Sequence, residues 1–340
     1  MREQRWIDTD TILLTAGLLL VGYFVRDVLL LVFGAVLLAI GLDGTTRTIS
    51  ERLPVSRGWA LVAVVIGLTA FMVGAMGMTA TRFVQQFWQV GDTLIDSLER
   101  VVAWLTELGV IAFMEEMNEE DEGLAETASG MARHAMTYGL TAIGVVASVI
   151  ILVVLTLFLA ANPALYREGA VRLVPPDKRQ VVEHTLSAIA HALRWWFLGQ
   201  LVSMAFLGVT VGLGLFLLGI ELWLALAVLT ALLTVLPFIG PLIAAFPIVA
   251  VGFSEGMQTG LIVLAGYLVI QNIEGNVVGP MIQKKAVNLA PALLISVQVL
   301  LTLVFGVVGL ILAAPLTVVV MVAVQKLWVE HKLGENALAR

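Results

Sequence analysis

Long uninterrupted apolar stretches constrain the fold of this chain more than any other feature of its sequence. Each has the roughly 18 residues or more that a helix needs to cross a bilayer core, and their hydrophobicity is continuous, which favours helices over a barrel. Charged residues make up 13% of the chain, whereas a typical soluble domain has about 25%. The sequence therefore predicts an all-α polytopic membrane protein. The apolar runs cover 11–42, 59–80, 139–161, 199–219, 222–253, 258–275 and 292–325.

Lysine and arginine are concentrated in a few of the segments between these runs. Such basic segments stay on the cytoplasmic side of an inserted protein. Placing the N-terminus, the loop at 43–58, the segment at 162–198 and the C-terminus on that side collects most of the basic residues. We therefore predict about eight transmembrane helices with both termini in the cytoplasm. No small-residue cleavage site follows the first residues, so the first span is expected to stay uncleaved.

The stretch at 82–138 is less apolar than its neighbours and is predicted to form a helical insert outside the cytoplasm. Phe83, Phe87 and Val90 begin an apolar stripe with helical spacing. The acidic block EEMNEEDE follows at 115–122. A solvated loop is the simplest interpretation of this block, and a cation-attracting antechamber or a halophile-type acidic surface is the alternative.

Glycine and proline interrupt two apolar stretches in the C-terminal half. The PFIGP break contains Pro237, Gly240 and Pro241, and the VVGP break contains Gly279 and Pro280. Proline removes a helical hydrogen bond and frees carbonyl groups, which lipid cannot satisfy. Paired breaks of this kind mark the binding sites of many transporters, although a plain proline kink is the structural alternative.

Residues 222–253 surround the PFIGP break and allow two topologies. The part before the break and the part after it are each too short to cross a bilayer alone. Together they form either one kinked crossing or a re-entrant hairpin, and the sequence leaves this choice open.

A polar cluster directly precedes the VVGP break, and Glu274 is its most informative residue. A carboxylate at membrane depth is costly and normally faces a cavity or a partner. Helical spacing places Gln271 with Glu274 on one face and Asn272 with Asn276 on another. A helix with so wide a polar arc cannot face lipid broadly, so we expect it to be packed among helices or to line water.

Two interpretations of Glu274 follow from this placement. In the first it couples the movement of protons or ions; in the second it only pairs with Lys284 or Lys285 near an interface. The predicted substrate-path residues are Gln271, Asn272, Asn276 and Thr234. The predicted broken-helix or hinge positions are Pro237, Gly240, Pro241, Gly275, Gly279 and Pro280.

The sequence contains no motif of a familiar enzyme or cofactor-binding protein. Cysteine is absent, which excludes disulfides and thiolate chemistry. His184 and His191 lack the spacing of a metal-binding helix. The phosphate-binding loop of ATPases and the GxSxG elbow of hydrolases are missing as well. We therefore expect a protein that is not an enzyme, with no cofactor, no metal centre and no nucleic-acid partner.

The motifs around the breaks resemble those of a known family, the autoinducer-2 exporter (AI-2E) family of bacterial inner-membrane proteins. The resemblance rests on PFIGP at 237–241, QNIEGNVVGPMI at 271–282, NLAPALLI after it and GVVGLILAAPL at 306–316. It extends more loosely over the whole chain in the order of spans, insert and the LVPPDKR segment. The acidic insert is not part of the family pattern. The family's motif positions fall on Pro237, Gly240, Pro241, Glu274, Pro280 and Pro315, the last of which is added to the hinge positions.

The resemblance implies a homo-oligomer, with pentamers known in the family, in which a transport unit moves against a scaffold. Some members export the signal autoinducer-2 (AI-2), and others exchange sodium or lithium for protons. We expect a secondary transporter in the inner membrane that exports a small polar, AI-2-like solute without ATP. A Na⁺(Li⁺)/H⁺ antiporter is the alternative, mildly favoured by the acidic insert, and a non-transporting membrane scaffold is the second alternative.

These expectations divide the chain into six predicted segments. They are the N-terminal membrane helices at 1–81, the acidic insert at 82–138, the fourth span at 139–161, a basic cytoplasmic amphipathic segment at 162–198, the C-terminal transport core at 199–329 and a cytoplasmic tail at 330–340. The expected partners are the lipid bilayer, further copies of the chain, and a small molecule or monovalent cation as substrate.

Overall fold

A computed structural model of the chain describes residues 25–52, 55–56, 58–66, 89, 142–279 and 290–334. The predicted first span, nearly all of the acidic insert, and Pro280 with Lys284 and Lys285 lie outside the described residues. The described elements are helices: α1 Arg26–Arg52, α2 Ala142–Ala161, α3 Pro163–Arg172, α4 Arg179–Leu217, α5 Trp223–Leu233, α6 Ile239–Ser254, α7 Met257–Ile273 and α8 Pro291–Ala323. A 3-10 turn, Pro176–Lys178, precedes α4, and π-helical segments, Glu274–Val278 and Val324–Glu330, extend α7 and α8.

Several of these helices are long and apolar enough to cross a membrane. There are four such helices, and α2 with α3 forms a fifth candidate, bent by 85°. The prediction of an all-α polytopic membrane protein is therefore confirmed. The expected total of about eight spans also counts segments outside the described residues. The four single-helix candidates are Arg26–Gly44, Pro176–Leu217, Met257–Val278 and Pro291–Glu330.

The predicted loop at 43–58 is wrong in its first part, because α1 remains helical to Arg52. The charged residues that suggested a loop lie on the C-terminal turns of this helix, at and beyond the end of its apolar part. Asp43 accepts a hydrogen bond from the Arg194 guanidinium of α4 at 3.0 Å, so its charge is compensated without unwinding the helix. Helix α4 is likewise continuous through residue 199, where the apolar run was expected to begin.

Helix α4 joins two apolar clusters and so organises the described part of the chain. Its first half contributes Ala192 and Leu193 to a cluster with α1 and α8, and its second half contributes Val211 and Leu215 to a cluster with α5, α6 and α7. The first cluster also contains Leu30, Leu37, Leu312, Val318 and Val322. The second also contains Ile220, Leu222, Ala225, Leu226, Ala244, Ile248, Val251, Val263 and Tyr267.

Small residues bring α4 and α5 into close contact. A Cβ at Gly212 would lie 2.6 Å from the Ala227 Cβ, and one at Gly208 would lie 2.9 Å from the Ala231 Cβ. Glycines four residues apart allow backbones to approach closely, and in lipid such van der Waals contact drives helix association. The short helix α5 is thereby held against the long helix α4.

The segment at 222–253 consists of two helices that pack against each other, α5 and α6. Leu226 of α5 and Ile248 of α6 belong to the same apolar cluster, as expected of two helices that fold back on each other. Of the two predicted topologies, this arrangement favours the hairpin. Its turn is the PFIGP break.

Candidate functional site

The PFIGP break, taken with the turn before it as residues 234–241, contains a strained turn. Phe238 has φ 66° and ψ −52°, and the Ile239 N–H donates to the Pro237 carbonyl at 2.8 Å, which together form a γ-turn with a positive central φ. A non-glycine residue in this conformation costs of order 1–3 kcal/mol and persists only when its surroundings hold it. Gly240 is required next to the turn, because a Cβ there would lie 1.7 Å from the Leu233 carbonyl oxygen.

Side chains from three other helices hold the carbonyl groups of this break. Gln200 of α4 donates its amide to the Thr234 carbonyl. The Gln298 amide of α8 donates to the Pro237 carbonyl at 3.2 Å, and the Tyr267 hydroxyl of α7 donates to the Pro241 carbonyl at 2.5 Å. Three carbonyls at the break, which lipid would leave unsatisfied, therefore have protein donors.

The buried end of this network has an unused acceptor. Gln298 is 0% exposed, and its Oε1 has no hydrogen-bond partner among the described residues. The Thr234 side chain is already satisfied, since its hydroxyl donates to the Thr230 carbonyl at 2.6 Å. Thr234 thus lies at the PFIGP break, and its backbone carbonyl, rather than its side chain, makes the contact across helices.

Glu274 lies where α7 continues into the π-helical segment, and it is partly buried. The Ser203 hydroxyl of α4 donates to its carboxylate at 2.8 Å. Hydrogen bonds to a carboxylate are stronger than neutral ones, so this contact ties the end of α7 to α4. Gln200 and Ser203 are one helical turn apart, and α4 therefore contacts both the PFIGP break and Glu274.

The polar cluster of α7 divides between two sides of the helix. The Gln271 amide donates to the Tyr267 hydroxyl at 2.9 Å, so it supports the network at the break. The Asn276 amide instead donates to the Asn272 side-chain oxygen at 2.8 Å, and both residues are exposed. These two asparagines line an open surface groove of about 420 Å³ with Leu268, Val269, Ile273 and Val277. The predicted substrate-path residues therefore do not share one surface.

A second sharp break lies inside α8 at Gly306, which has φ 62° and ψ −148°. A Cβ at Gly309 would lie 2.2 Å from the Leu301 carbonyl oxygen, so the two arms of α8 meet closely there. The helix continues through Pro315, the predicted hinge, which is buried. Gly279 also remains helical, and a Cβ at Gly275 would meet nothing within 4 Å.

Sequence reasoning missed three residues of this network: Ser203, Tyr267 and Gln298. Gln298 had a usable signal, because it is a single amide in a long apolar helix. Ser203 and Tyr267 had none, since serine and tyrosine are ordinary in membrane helices. Only the packing of α4 and α7 against the break gives them partners.

The oxygen atoms at Glu274 define what this arrangement can do chemically. A carboxylate and a hydroxyl can hold a proton, accept and donate hydrogen bonds to a polar solute, or contribute ligands to a small hard cation. Among the described residues, no group of three or more His, Cys, Asp or Glu side chains is arranged to hold a metal ion. The geometry is that of a polar contact point between the long helix α4 and the end of α7.

Comparison with known proteins identifies the group to which this arrangement belongs. The "Putative transport protein YueF" of Bacillus subtilis (strain 168) is 24% identical over 311 residues, which cover 86% of this chain and 83% of that protein. The "Putative permease PerM" of Escherichia coli (strain K12) is 26% identical over an alignment of 351 positions that covers 98% of each chain. The "AI-2 transport protein TqsA" of Escherichia coli (strain K12) is 36% identical over 100 residues, which cover 28% of each. The family profile described as AI-2E family transporter matches residues 12–328, which include both breaks and Glu274, and the chain therefore belongs to the AI-2E transporter family.

Proposed function

We propose that this protein is a secondary transporter that exports a small polar solute, similar to AI-2, without ATP. The observation that carries the proposal is the 2.8 Å hydrogen bond between Ser203 and Glu274 beside the PFIGP break. It places an ionisable group between α4 and the end of α7, one turn of α4 beyond Gln200, which donates to the Thr234 carbonyl of the break. The name of TqsA supports AI-2 as the solute class, since this relative is described as an AI-2 transport protein.

The proposed mechanism uses competition for the Glu274 carboxylate. A solute rich in hydroxyl groups can donate hydrogen bonds to the same carboxylate to which the Ser203 hydroxyl donates. Protonation of Glu274 would weaken its charge-assisted hydrogen bond and loosen the end of α7 from α4. Binding and protonation therefore act on one contact, which is what coupling between a solute and a proton requires.

The second candidate function is Na⁺(Li⁺)/H⁺ antiport. It is favoured by the oxygen atoms of Glu274 and Ser203, which are ligands of the kind that hard cations prefer. In this version the carboxylate binds a proton and the cation alternately. A non-transporting scaffold remains the third hypothesis, and it assigns no purpose to the contact between Ser203 and Glu274.

Reconstitution in proteoliposomes with an internal pH dye tests these functions. A labelled AI-2-like furanosyl solute, Na⁺, Li⁺ and K⁺ are added in turn to the wild type and to Glu274→Gln. We expect solute movement to fall at least tenfold in the variant, because about 1.4 kcal/mol of lost coupling already gives that factor. Glu255→Gln is the matched control, since Glu255 is exposed at the end of α6 and its loss removes the same charge.

The outcomes separate the hypotheses. Proton flux triggered by Na⁺ or Li⁺ and lost in Glu274→Gln would establish antiport instead of export. Equal loss of solute transport and of the assembled protein, measured by size-exclusion chromatography, would show that Glu274 is only structural. Silence of the wild type towards every solute and cation would leave the scaffold as the better hypothesis.

A further inference from the structure

Helix α3 leaves the end of a membrane-crossing helix almost at a right angle. Helix α2 has 20 residues without a charge, which is about the length that crosses a bilayer core. At Asn162 the chain bends, and α3 lies at 85° to the last part of α2. The sequence builds this corner, because the Asn162 side chain accepts from the Leu165 N–H at 3.4 Å and Pro163 starts the new helix. Helix α3 therefore begins where the charge-free helix α2 ends and runs nearly perpendicular to it.

One side of α3 is apolar and has no partner among the described residues. At about 100° per residue, Leu165, Tyr166 and Leu173 fall within an arc of roughly 100°, which also contains Gly169. Their exposed fractions are 61%, 45% and 89%, and no residue of α3 is buried. Together they form an apolar surface on the outer side of the helix.

A different side of α3 faces α4. Arg167 lies 3.9 Å from Glu183 of α4, and Val171 is partly buried. Both residues lie about 100–140° beyond Tyr166 around the helix, outside the apolar arc. The apolar arc is therefore turned away from α4, and the described residues leave it uncovered.

Basic side chains stand at the edge of this apolar surface. Arg172 lies about 20° beyond Leu165 around the helix and is exposed. Lys178 follows in the 3-10 turn and is exposed too, whereas the Arg179 side chain is directed at the backbone, where it donates to the Val174 carbonyl at 3.0 Å. Glu168, the acidic residue of this helix, lies beyond Arg172 on the polar side. Long basic side chains at such an edge extend their stems over apolar surface and place their charges at lipid headgroups.

We propose that α3 is an interfacial helix that binds anionic phospholipids. Leu165, Tyr166 and Leu173 enter the boundary between headgroups and acyl chains, and Arg172 and Lys178 contact the lipid phosphates. Since α3 packs against α4, lipid binding fixes the N-terminal end of α4, the helix that carries Gln200 and Ser203. This inference does not depend on which solute is transported.

Single cysteines test the depth of each face, because the chain contains no natural cysteine. The variants L165C and L173C, with E168C as the matched control on the polar side, are labelled with an environment-sensitive dye. They are placed in nanodiscs of phosphatidylcholine alone or with phosphatidylglycerol. We expect labels at L165C and L173C to be quenched by shallow spin-labelled lipid at least roughly twofold more than the label at E168C, as for a helix whose apolar face is immersed.

A charge test identifies the lipid source. Energy transfer from the L173C label to a fluorescent phosphatidylglycerol should exceed transfer to the equivalent phosphatidylcholine, and R172Q with K178Q should lower this preference roughly fivefold per charge. Inorganic phosphate should leave the label unchanged in nanodiscs without anionic lipid. Equal quenching at all three labelled positions, or a preference unchanged by R172Q with K178Q, would overturn the proposal. A label at L173C that is shielded from soluble quenchers equally in detergent and in nanodiscs would overturn it in favour of a protein partner.

Discussion

The PFIGP break and the Gly306 break solve the same problem by different means. Both let an apolar helix turn sharply, and at each a glycine approaches a carbonyl so closely that a Cβ would overlap it. The PFIGP break forces a phenylalanine into a strained turn and then holds its carbonyls with amides and a hydroxyl from three helices. The Gly306 break uses glycine itself for the unusual backbone conformation.

This difference indicates which of the two breaks changes its conformation more easily. A strained turn that side-chain donors hold can change its conformation when those donors change partners. At the PFIGP break this would happen if Gln200 or Tyr267 moved away from its carbonyl. A turn that glycine adopts readily stores little strain. We therefore expect the PFIGP break to respond to substitutions in neighbouring helices and the Gly306 break to respond only to changes in its own backbone.

The largest expected effect comes from Gly240→Ala. The new Cβ would lie 1.7 Å from the Leu233 carbonyl oxygen, so the backbone at the turn must move, and crowding of this kind typically costs about 1–3 kcal/mol or more. The thermal unfolding midpoint in detergent should fall, and the assembled protein should decrease on size-exclusion chromatography. Gly214→Ala is the control, because a Cβ there meets nothing within 4 Å. An unchanged midpoint for Gly240→Ala would show that the close approach is not needed.

Gly306→Ala should have the next largest effect, and for a different reason. A Cβ at Gly306 meets no neighbour within 4 Å, but φ 62° with ψ −148° is a conformation that is essentially restricted to glycine. The expected cost is about 1–3 kcal/mol, again measured as the thermal midpoint. Gly266→Ala separates the two causes, since Gly266 is equally uncrowded but lies within the regular helix α7. If both variants behave alike, the backbone conformation at Gly306 does not matter.

Gln298→Leu should have the smallest effect on stability and still change function. Leucine removes the hydrogen bond to Pro237, but it also removes the buried Oε1, which has no partner in the described part of the chain, and each of these is worth about 1 kcal/mol. The thermal midpoint should therefore change little. Transport should fall roughly fivefold, because the strained turn loses a donor that holds it.

Ser296→Ala is the matched control on the same helix, since the exposed Ser296 donates only to the Ala292 carbonyl in its own turn. It should leave both the midpoint and transport unchanged. A large loss of stability in Gln298→Leu would mean that Gln298 is chiefly a packing residue. Full transport in Gln298→Leu would remove the distinction between the two breaks.

The sequence by itself determined the class of protein and the place of one helix break, the PFIGP break. Continuous apolar runs predict membrane helices because the bilayer leaves backbone groups no other partner, and PFIGP predicts a break because proline removes a hydrogen bond. Helical spacing also predicted that Gln271 and Glu274 point away from Asn272 and Asn276. These features depend on local chemistry, which residues close together in the sequence determine.

Only the tertiary structure decided which groups meet across the chain. Ser203 lies 71 positions before Glu274, and Gln298 lies 61 positions after Pro237, so no local pattern connects them. The sharp turn in α8 falls at Gly306 and not at Pro315, because a glycine adopts the required backbone while Pro315 is buried within a regular helix. Carbonyl groups freed at a break need hydrogen-bond donors, and the packing of the helices determines which donors reach them.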